Sequence, residues 1–251
     1  MRRAGALALA AVGVLSACTG GDDDGAAPTS TRPETVILET TTSTTSAPLV
    51  GQPVAVVEQG VSTFSDPFDP STDLGGYGVV LHNPNPDLVA TGVHVTTRLL
   101  DAAGVEVLVD TQLLNGIMPD QRMAVGRLLI EPLDPAPTQL QVAVEVAAWL
   151  RPADGAGALT AEEVVTEDQP DGVAVTRFRV RSTWTTPEEG VDVTALYRAE
   201  DGRILAAETT TLAMVAPETT TEGQIQLLTP IPMLATTEVL VGRGFAAQTT
   251  G

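Results

Sequence analysis

Lysine is missing from this chain. All thirteen basic residues are arginine, thirty-two residues are acidic, and the formal net charge at pH 7 is −19. Phosphate recognition is driven by clustered positive charge, so a nucleic-acid partner is excluded. Aromatic residues make up only 3%, so any core must rest on Val, Leu and Ala packing. A single cysteine in 251 residues excludes a disulfide framework and a Cys-rich zinc site. Two histidines leave few routes to His-based catalysis or metal binding. At 43% hydrophobic residues, the chain is nevertheless too apolar to be disordered throughout.

What is present begins with Arg2 and Arg3, then an uncharged apolar stretch from Ala4 to Val14, then Leu15, Ser16, Ala17 and Cys18. A positive start, a short apolar segment and small residues before a cleavage point are the plan of a secretory signal. The stretch is too short for a spanning helix, which needs about 20 residues. Leu15-Ser16-Ala17-Cys18 in this setting resembles the lipobox of bacterial lipoproteins. The resemblance implies cleavage between Ala17 and Cys18 and a diacylglyceryl thioether, with palmitate-type acyl chains, on Cys18. A plain signal peptide with an incidental cysteine and an uncleaved anchor are the competing readings. Each buried methylene of an acyl chain contributes about 0.8 kcal/mol, so two or three chains hold firmly. After cleavage eleven arginines would face thirty-two acids, so lipid rather than charge must attach the protein to an anionic membrane. The expected location is the extracytoplasmic face of the cell membrane.

Residues 18–49 are rich in Thr, Ser, Pro, Gly and Asp. Such a composition cannot bury enough apolar surface to offset its ordering entropy, and it predicts a disordered tether with a reach of about 30 Å. Asp22, Asp23 and Asp24 are expected to be solvated rather than metal-binding. The Thr/Ser run from Thr40 to Ser46 is a candidate for O-glycosylation. The apolar island Val36-Ile37-Leu38 has no role in this picture.

Beyond the tether the sequence repeats. Gly92-Val93-His94-Val95-Thr96 returns as Gly190-Val191-Asp192-Val193-Thr194. Gly104, Thr111, Leu114, Pro119, Leu129 and Pro132 recur as Gly202, Thr209, Leu212, Pro217, Leu227 and Pro230. All share an offset of 98, giving ten identities over the forty-one ungapped positions 92–132. A constant offset that aligns turn glycines and prolines points to a duplicated domain. Within each copy the hydrophobic period is two. Val93, Val95 and Leu99 alternate with His94, Thr96 and Arg98; Phe178, Val180 and Trp184 alternate with Arg177, Arg179 and Arg181. That is the pattern of half-buried strands. Turn signals at Asn83-Pro84-Asn85-Pro86-Asp87, Asp101-Ala102-Ala103-Gly104 and Ala199-Glu200-Asp201-Gly202 separate them.

The expected fold class is therefore all-β: two tandem antiparallel immunoglobulin-like β-sandwiches, residues 50–150 and 159–248, joined by a linker at 151–158. Thr160 to Val164, with Thr160 and Glu163 spaced as a capping box, is the most helix-compatible stretch. A family resemblance rests on Val79-Val80-Leu81-His82-Asn83-Pro84-Asn85, on Leu99-Leu100-Asp101-Ala102-Ala103-Gly104 and on Met118-Pro119. These resemble the FxLYD domain of bacterial surface lipoproteins and the late-embryogenesis-abundant type β-sandwich, over about 75–147 and more weakly 173–245. Thr97 and Leu100 stand where the motif has Phe and Tyr. The resemblance implies an extracellular immunoglobulin-like module and brings no catalytic residues.

Candidate chemistry is sparse. Asp66, Asp69 and Asp73 lie in a Pro-rich loop and form a weak candidate for Ca²⁺, against the default of a solvated acidic loop. Arg177, Arg179 and Arg181 share one face of a strand. They could grip a phosphate, a carboxylate polymer or an acidic partner, or they could simply pair with nearby acids such as Glu188, Glu189 and Asp192. His82 and His94 could meet if their strands are neighbours, yet two ligands make a poor metal site. Gly75-Gly76-Tyr77-Gly78 lacks the lysine and following helix of a phosphate loop and is expected to enter a strand. No nucleophile motif is present, and no cofactor is expected. The sequence thus predicts a non-catalytic, lipid-anchored binding or scaffolding protein of the cell envelope, with an envelope protein or polymer as partner. The alternatives are an accessory subunit of an envelope transport or secretion complex, and a cell-wall polymer hydrolase with a cleft of convergent acids near 151–158.

Overall fold

A computed structural model of the chain describes residues 47–152, 157–169 and 173–243. The tether, the signal segment and Cys18 lie outside the described residues. Everything described is strand or connection, with no helix among the described residues. The first half contains β1 (Ala55–Ser65), β2 (Asp73–His82), β3 (Val89–Leu100), β4 (Glu106–Ile117), β5 (Arg122–Leu129) and β6 (Gln139–Leu150). The second contains β7 (Leu159–Asp168), β8 (Ala174–Ser182), β9 (Glu188–Arg198), β10 (Ile204–Val215), β11 (Thr220–Leu227) and β12 (Thr236–Gly242).

The twelve strands make four antiparallel sheets of three: sheet I (β4-β3-β6), sheet II (β1-β2-β5), sheet III (β10-β9-β12) and sheet IV (β11-β8-β7). Sheets I and II form the first sandwich, and sheets III and IV repeat the same pairing pattern in the second. The repeat extends to backbone detail. Gly92 and Gly190 have φ of 57° and 61°, Gly104 and Gly202 81° and 83°, Asp120 and Glu218 54° and 51°. Gly104 N–H bonds to Asp101 O at 3.1 Å, and Gly202 N–H bonds to Ala199 O at 2.9 Å. A left-handed residue at each turn explains why glycine recurs at 104 and 202. Asp101 Oδ1 accepts the N–H groups of Ala103 and Val105, each at 2.8 Å, which fixes the first of these turns.

The Asn-Pro-Asn segment between β2 and β3 is a polar hub. Asn83 is fully buried, and its amide reaches the carbonyls of Leu88 at 2.7 Å and Ile117 at 3.0 Å. Asn85 exchanges hydrogen bonds with Gln52, at 2.7 Å and 2.9 Å, and so ties down the incoming chain. Buried polar atoms require such partners. Here they join three segments at one end of the first sandwich.

The two sandwiches are in direct contact as well as joined through the linker. Sheets II and III pack face to face, and the sheets stack in the order I, II, III, IV. Tyr77, Val79 and Leu81 of β2 face the core shared with sheet I, beside Val93, Val95 and Leu99. The alternate residue Val80, with Ala124 of β5, packs on Leu196, Ile204 and Ala207 of sheet III. Phe64, Leu74 and Leu128 of the first half join the core of the second, beside Val193, Tyr197 and Leu205. A strand so placed is buried on both faces, and β2 is buried continuously from Leu74 to Leu81. Small residues permit the approach. A Cβ on Gly76 would lie 2.5 Å from Leu205 O, and one on Gly78 2.8 Å from Ile204 Cγ2. Only hydrogen fits at either site.

Polar contacts bind the same interface. Thr194 Oγ1 donates to Ala124 O at 3.1 Å, and Gln121 Nε2 donates to Val241 O at 2.8 Å. Arg122 and Arg198 each bridge Glu58 and Glu238, at 3.1 and 3.2 Å for Arg122 and 2.7 and 2.7 Å for Arg198. This alternating square joins β1, β5, β9 and β12. Near the linker, Ala158 N–H bonds to Thr183 Oγ1 at 2.8 Å. Residues 153–156 of that linker lie outside the described residues.

Thr160 to Val164 is strand rather than helix. It pairs with β8, with a register shift between Glu162 and Val165 and a φ of 52° at Glu163. Pairing with a strand already buried on its inner face overrides a four-residue capping signal, because most stability of a short element comes from tertiary packing.

Candidate binding cavity

The arginine row is where the alternation places it, on the outer face of β8, with Phe178 and Val180 buried between. It is not free. Arg177 pairs with Glu167 at 2.6 Å, Arg179 with Glu163 at 2.8 Å and Glu222 at 3.1 Å, and Arg181 with Glu162 at 3.7 Å. These acids come from the flanking strands β7 and β11, not from Glu188, Glu189 or Asp192. Glu188 is buried and pairs with Arg243, which stacks 4.1 Å over the Trp184 ring. Asp192 Oδ1 instead accepts a hydrogen bond from Thr211 at 2.9 Å.

The other sequence candidates do not converge. Asp66 and Asp69 turn inward and cap their own loop, accepting N–H groups of Phe68 at 2.9 Å and Ser71 at 3.1 Å. Hydrogen bonds from the Ser71 side chain, the Ser71 backbone and Thr72 hold the exposed Asp69 carboxyl below the usual carboxylate range. Asp73 accepts from Ser65 Oγ at 3.2 Å. Among the described residues no group of three or more His, Cys, Asp or Glu could hold a metal ion. His82 lies in sheet II and contacts Asp120 at 3.0 Å, whereas His94 lies in sheet I opposite Leu113 and Glu145. Their strands are not neighbours. Gly75 to Gly78 lie within β2, as expected, and of these Gly76 and Gly78 serve the sheet II to sheet III contact.

Sequence reasoning did not single out a cavity of about 390 Å³ that both halves build. Leu108 of β4, Leu128 and Leu129 of β5, and Ile130 and Leu133 of the following loop line it from the first half. Glu208 of β10 and Gln226, Leu227 and Leu228 at the end of β11 line it from the second. Leu129 and Leu227 are repeat counterparts and are both buried; Ile130 and Leu228 are counterparts and are both exposed, at 51% and 63%. The duplication therefore places two similar strand ends around one space, and stacking of sheets II and III brings them together.

Charge in the cavity follows from the same duplication. Asp110 and Glu208 occupy equivalent positions. Asp110 is saturated: it accepts hydrogen bonds from the Tyr77 hydroxyl and from Gln112 at 2.9 Å, and Arg127 lies 4.0 Å away. Burial opposes its charge, but these contacts, with the Thr111 backbone N–H, outweigh burial and hold its carboxyl below the usual range. Tyr77 shows the converse: burial, then the hydrogen bond to and charge of Asp110, push the phenol far up. Glu208 accepts no such tyrosine hydroxyl among the described residues: Thr176, opposite Ile225 of β11 as Tyr77 is opposite Arg127 of β5, occupies the equivalent place. Its Oε2 reaches across the interface to accept Leu128 N–H at 3.1 Å. Burial pushes its carboxyl above the usual range, and that hydrogen bond and Arg127 offset the effect only in part. Glu131 adds an exposed carboxylate to the lining. The site is thus an aliphatic floor with an excess of negative charge.

No family model matches the chain. No curated protein matches it. Among solved structures, the exo-chitosanase CsxA of Amycolatopsis orientalis is similar at a TM-score of 0.24 and 14% identity, over 66% of this chain and 24% of that one. Two variants of that enzyme in complex with PNP-β-D-glucosamine give TM-scores of 0.22 and 0.19 at 14% identity, each over 59% of this chain and 22% of theirs. The chain spans about a quarter of the length of these chains, and at such scores the likeness carries no argument about activity.

Proposed function

We propose that the protein is a non-catalytic, lipid-anchored, extracytoplasmic binding or scaffolding protein of the cell envelope, moored through acyl chains on Cys18 and presenting two stacked FxLYD-like sandwiches. The observation that carries this reading is Leu15-Ser16-Ala17-Cys18 directly behind Arg2, Arg3 and an uncharged apolar stretch. No helix of the described residues is long and apolar enough to cross a membrane. The lipid is the only attachment the reading requires. The described chain enters through Gln52, held by Asn85, at the end of sheet II where Ala55 and Arg122 flank His82. The cavity opens beyond the other end, where Leu129 pairs with Gly75. A ligand site remote from the point of entry suits a protein that presents a surface to the envelope. Growth with an alkyne-tagged palmitate analogue tests the anchor. The wild-type chain is expected to carry the label and sediment with membranes, and Cys18→Ser to lose both. Unlabelled wild-type protein in the cytosol would overturn the reading.

A further inference from the structure

We propose that the cavity between the sandwiches binds an amphiphile with an aliphatic chain and a cationic amine or quaternary ammonium head. This gives the binding role above a ligand class and rests on that reading. Leu108, Leu128, Leu133 and Leu227 supply an aliphatic wall, and among the described residues no aromatic ring lines the space. A flat ring ligand therefore has nothing to stack on, whereas a flexible chain needs only apolar contact. The volume falls within the range of small-molecule sites. Ile130 and Leu228, at equivalent places in the repeat, stand more than half exposed at the cavity. Their burial by a ligand would be favourable.

The polar groups choose the head. Among the described residues Arg127 is the one cation in the lining, and it lies 4.0 Å from Asp110 and also acts on Glu208. The two carboxylates of the lining, Glu208 and Glu131, outnumber it. Among the described residues the one hydrogen bond to Glu208 reaches Oε2 from Leu128 N–H, which leaves Oε1 for an ammonium group. A chain of net charge −19 focuses the same sign of potential on this opening. An anionic head would meet repulsion from both carboxylates. Glu208→Gln keeps an oxygen for the Leu128 N–H while removing the charge, so the variant separates charge recognition from packing.

Isothermal titration of the purified full chain with dodecylammonium, dodecanoate and dodecanol, each below its micellar concentration, tests the proposal. Dodecylammonium is expected to bind most tightly and dodecanoate most weakly. Glu208→Gln should weaken dodecylammonium roughly tenfold or more and leave dodecanol unchanged. The double substitution Ile130→Ser with Leu228→Ser, at exposed sites, should weaken both. Equal affinity for dodecanoate and dodecylammonium, or no response to Glu208→Gln, would overturn the cationic head. Binding unaffected by the double substitution, or no binding of any probe, would overturn the site. Palmitate labelling of the same variants reports anchoring separately, so failure of the anchor and failure of the ligand site cannot be confused.

Discussion

Glu208 and Asp110 show how one position acquires two roles after duplication. At 110 a tyrosine and a glutamine hold the carboxylate charged; at 208 the tyrosine is replaced by Thr176, and the longer side chain turns to the opposite sandwich. The consequence for stability has a definite sign. Burial raises the folded-state pKa of Glu208 above its unfolded value, so its charge penalises the fold above that pKa, and the penalty is relieved as pH falls through it. Glu208→Gln is therefore expected to be more stable than wild type at pH 7, with the gap closing as pH falls toward the ordinary glutamate range; urea midpoints measured across that fall check this. Gly76 provides a second test at this scale. Alanine there would press on Leu205 O and Ala206 Cβ of sheet III. Overpacking of this kind costs about 1–3 kcal/mol, and calorimetry should show a melting temperature lowered by several degrees.

At the scale of the element, β8 has an inner face that folds the second sandwich and an outer face of three arginines held by acids from β7 and β11. The arginines are exposed, and exposed pairs contribute about 0–1 kcal/mol each. Arg177→Ser and Arg181→Ser should each lower stability by less than about 1 kcal/mol, with the difference shrinking at 1 M salt. Urea denaturation at two ionic strengths decides it. A larger, salt-independent loss would mean that the row packs as well as pairs. The same strand explains β7: backbone pairing with β8, with three ion pairs from Glu162, Glu163 and Glu167, and not the spacing of Thr160 and Glu163, sets Glu162 and Glu163 in a bulged strand.

For the whole molecule the decisive feature is the contact of sheets II and III. Leu196, Ile204 and Ala207 reach the first half while their neighbours on β9 and β10 fill the second. Two sandwiches sharing a buried face should unfold together. Differential scanning calorimetry is expected to give one cooperative transition, and Leu196→Ala, which opens a void at the shared face, should lower the stability of both halves by about 2–5 kcal/mol. Two separate transitions, with only one shifted, would contradict the coupling.

Strand period, turn glycines and the offset of 98 were legible in the sequence because each depends on local geometry: side chains alternate across a strand, and only glycine readily adopts the left-handed conformation at 104 and 202. The outer sheets I and IV, half-exposed, follow that alternation directly. Which faces would meet was not legible. Gly76 and Gly78 carry no hydrophobic signal, and only the approach of Leu205 and Ile204 shows that an empty position is a packed one. Glu208 is likewise an ordinary acid in a Thr-rich strand until alignment with Asp110 and the position of Leu128 give it a place. The sequence alone determined an all-β chain of two copies, since propensity and periodicity act over a few residues. Only the tertiary structure decided that the copies share a face and a cavity, since complementarity between surfaces distant in sequence is a property of neither copy by itself.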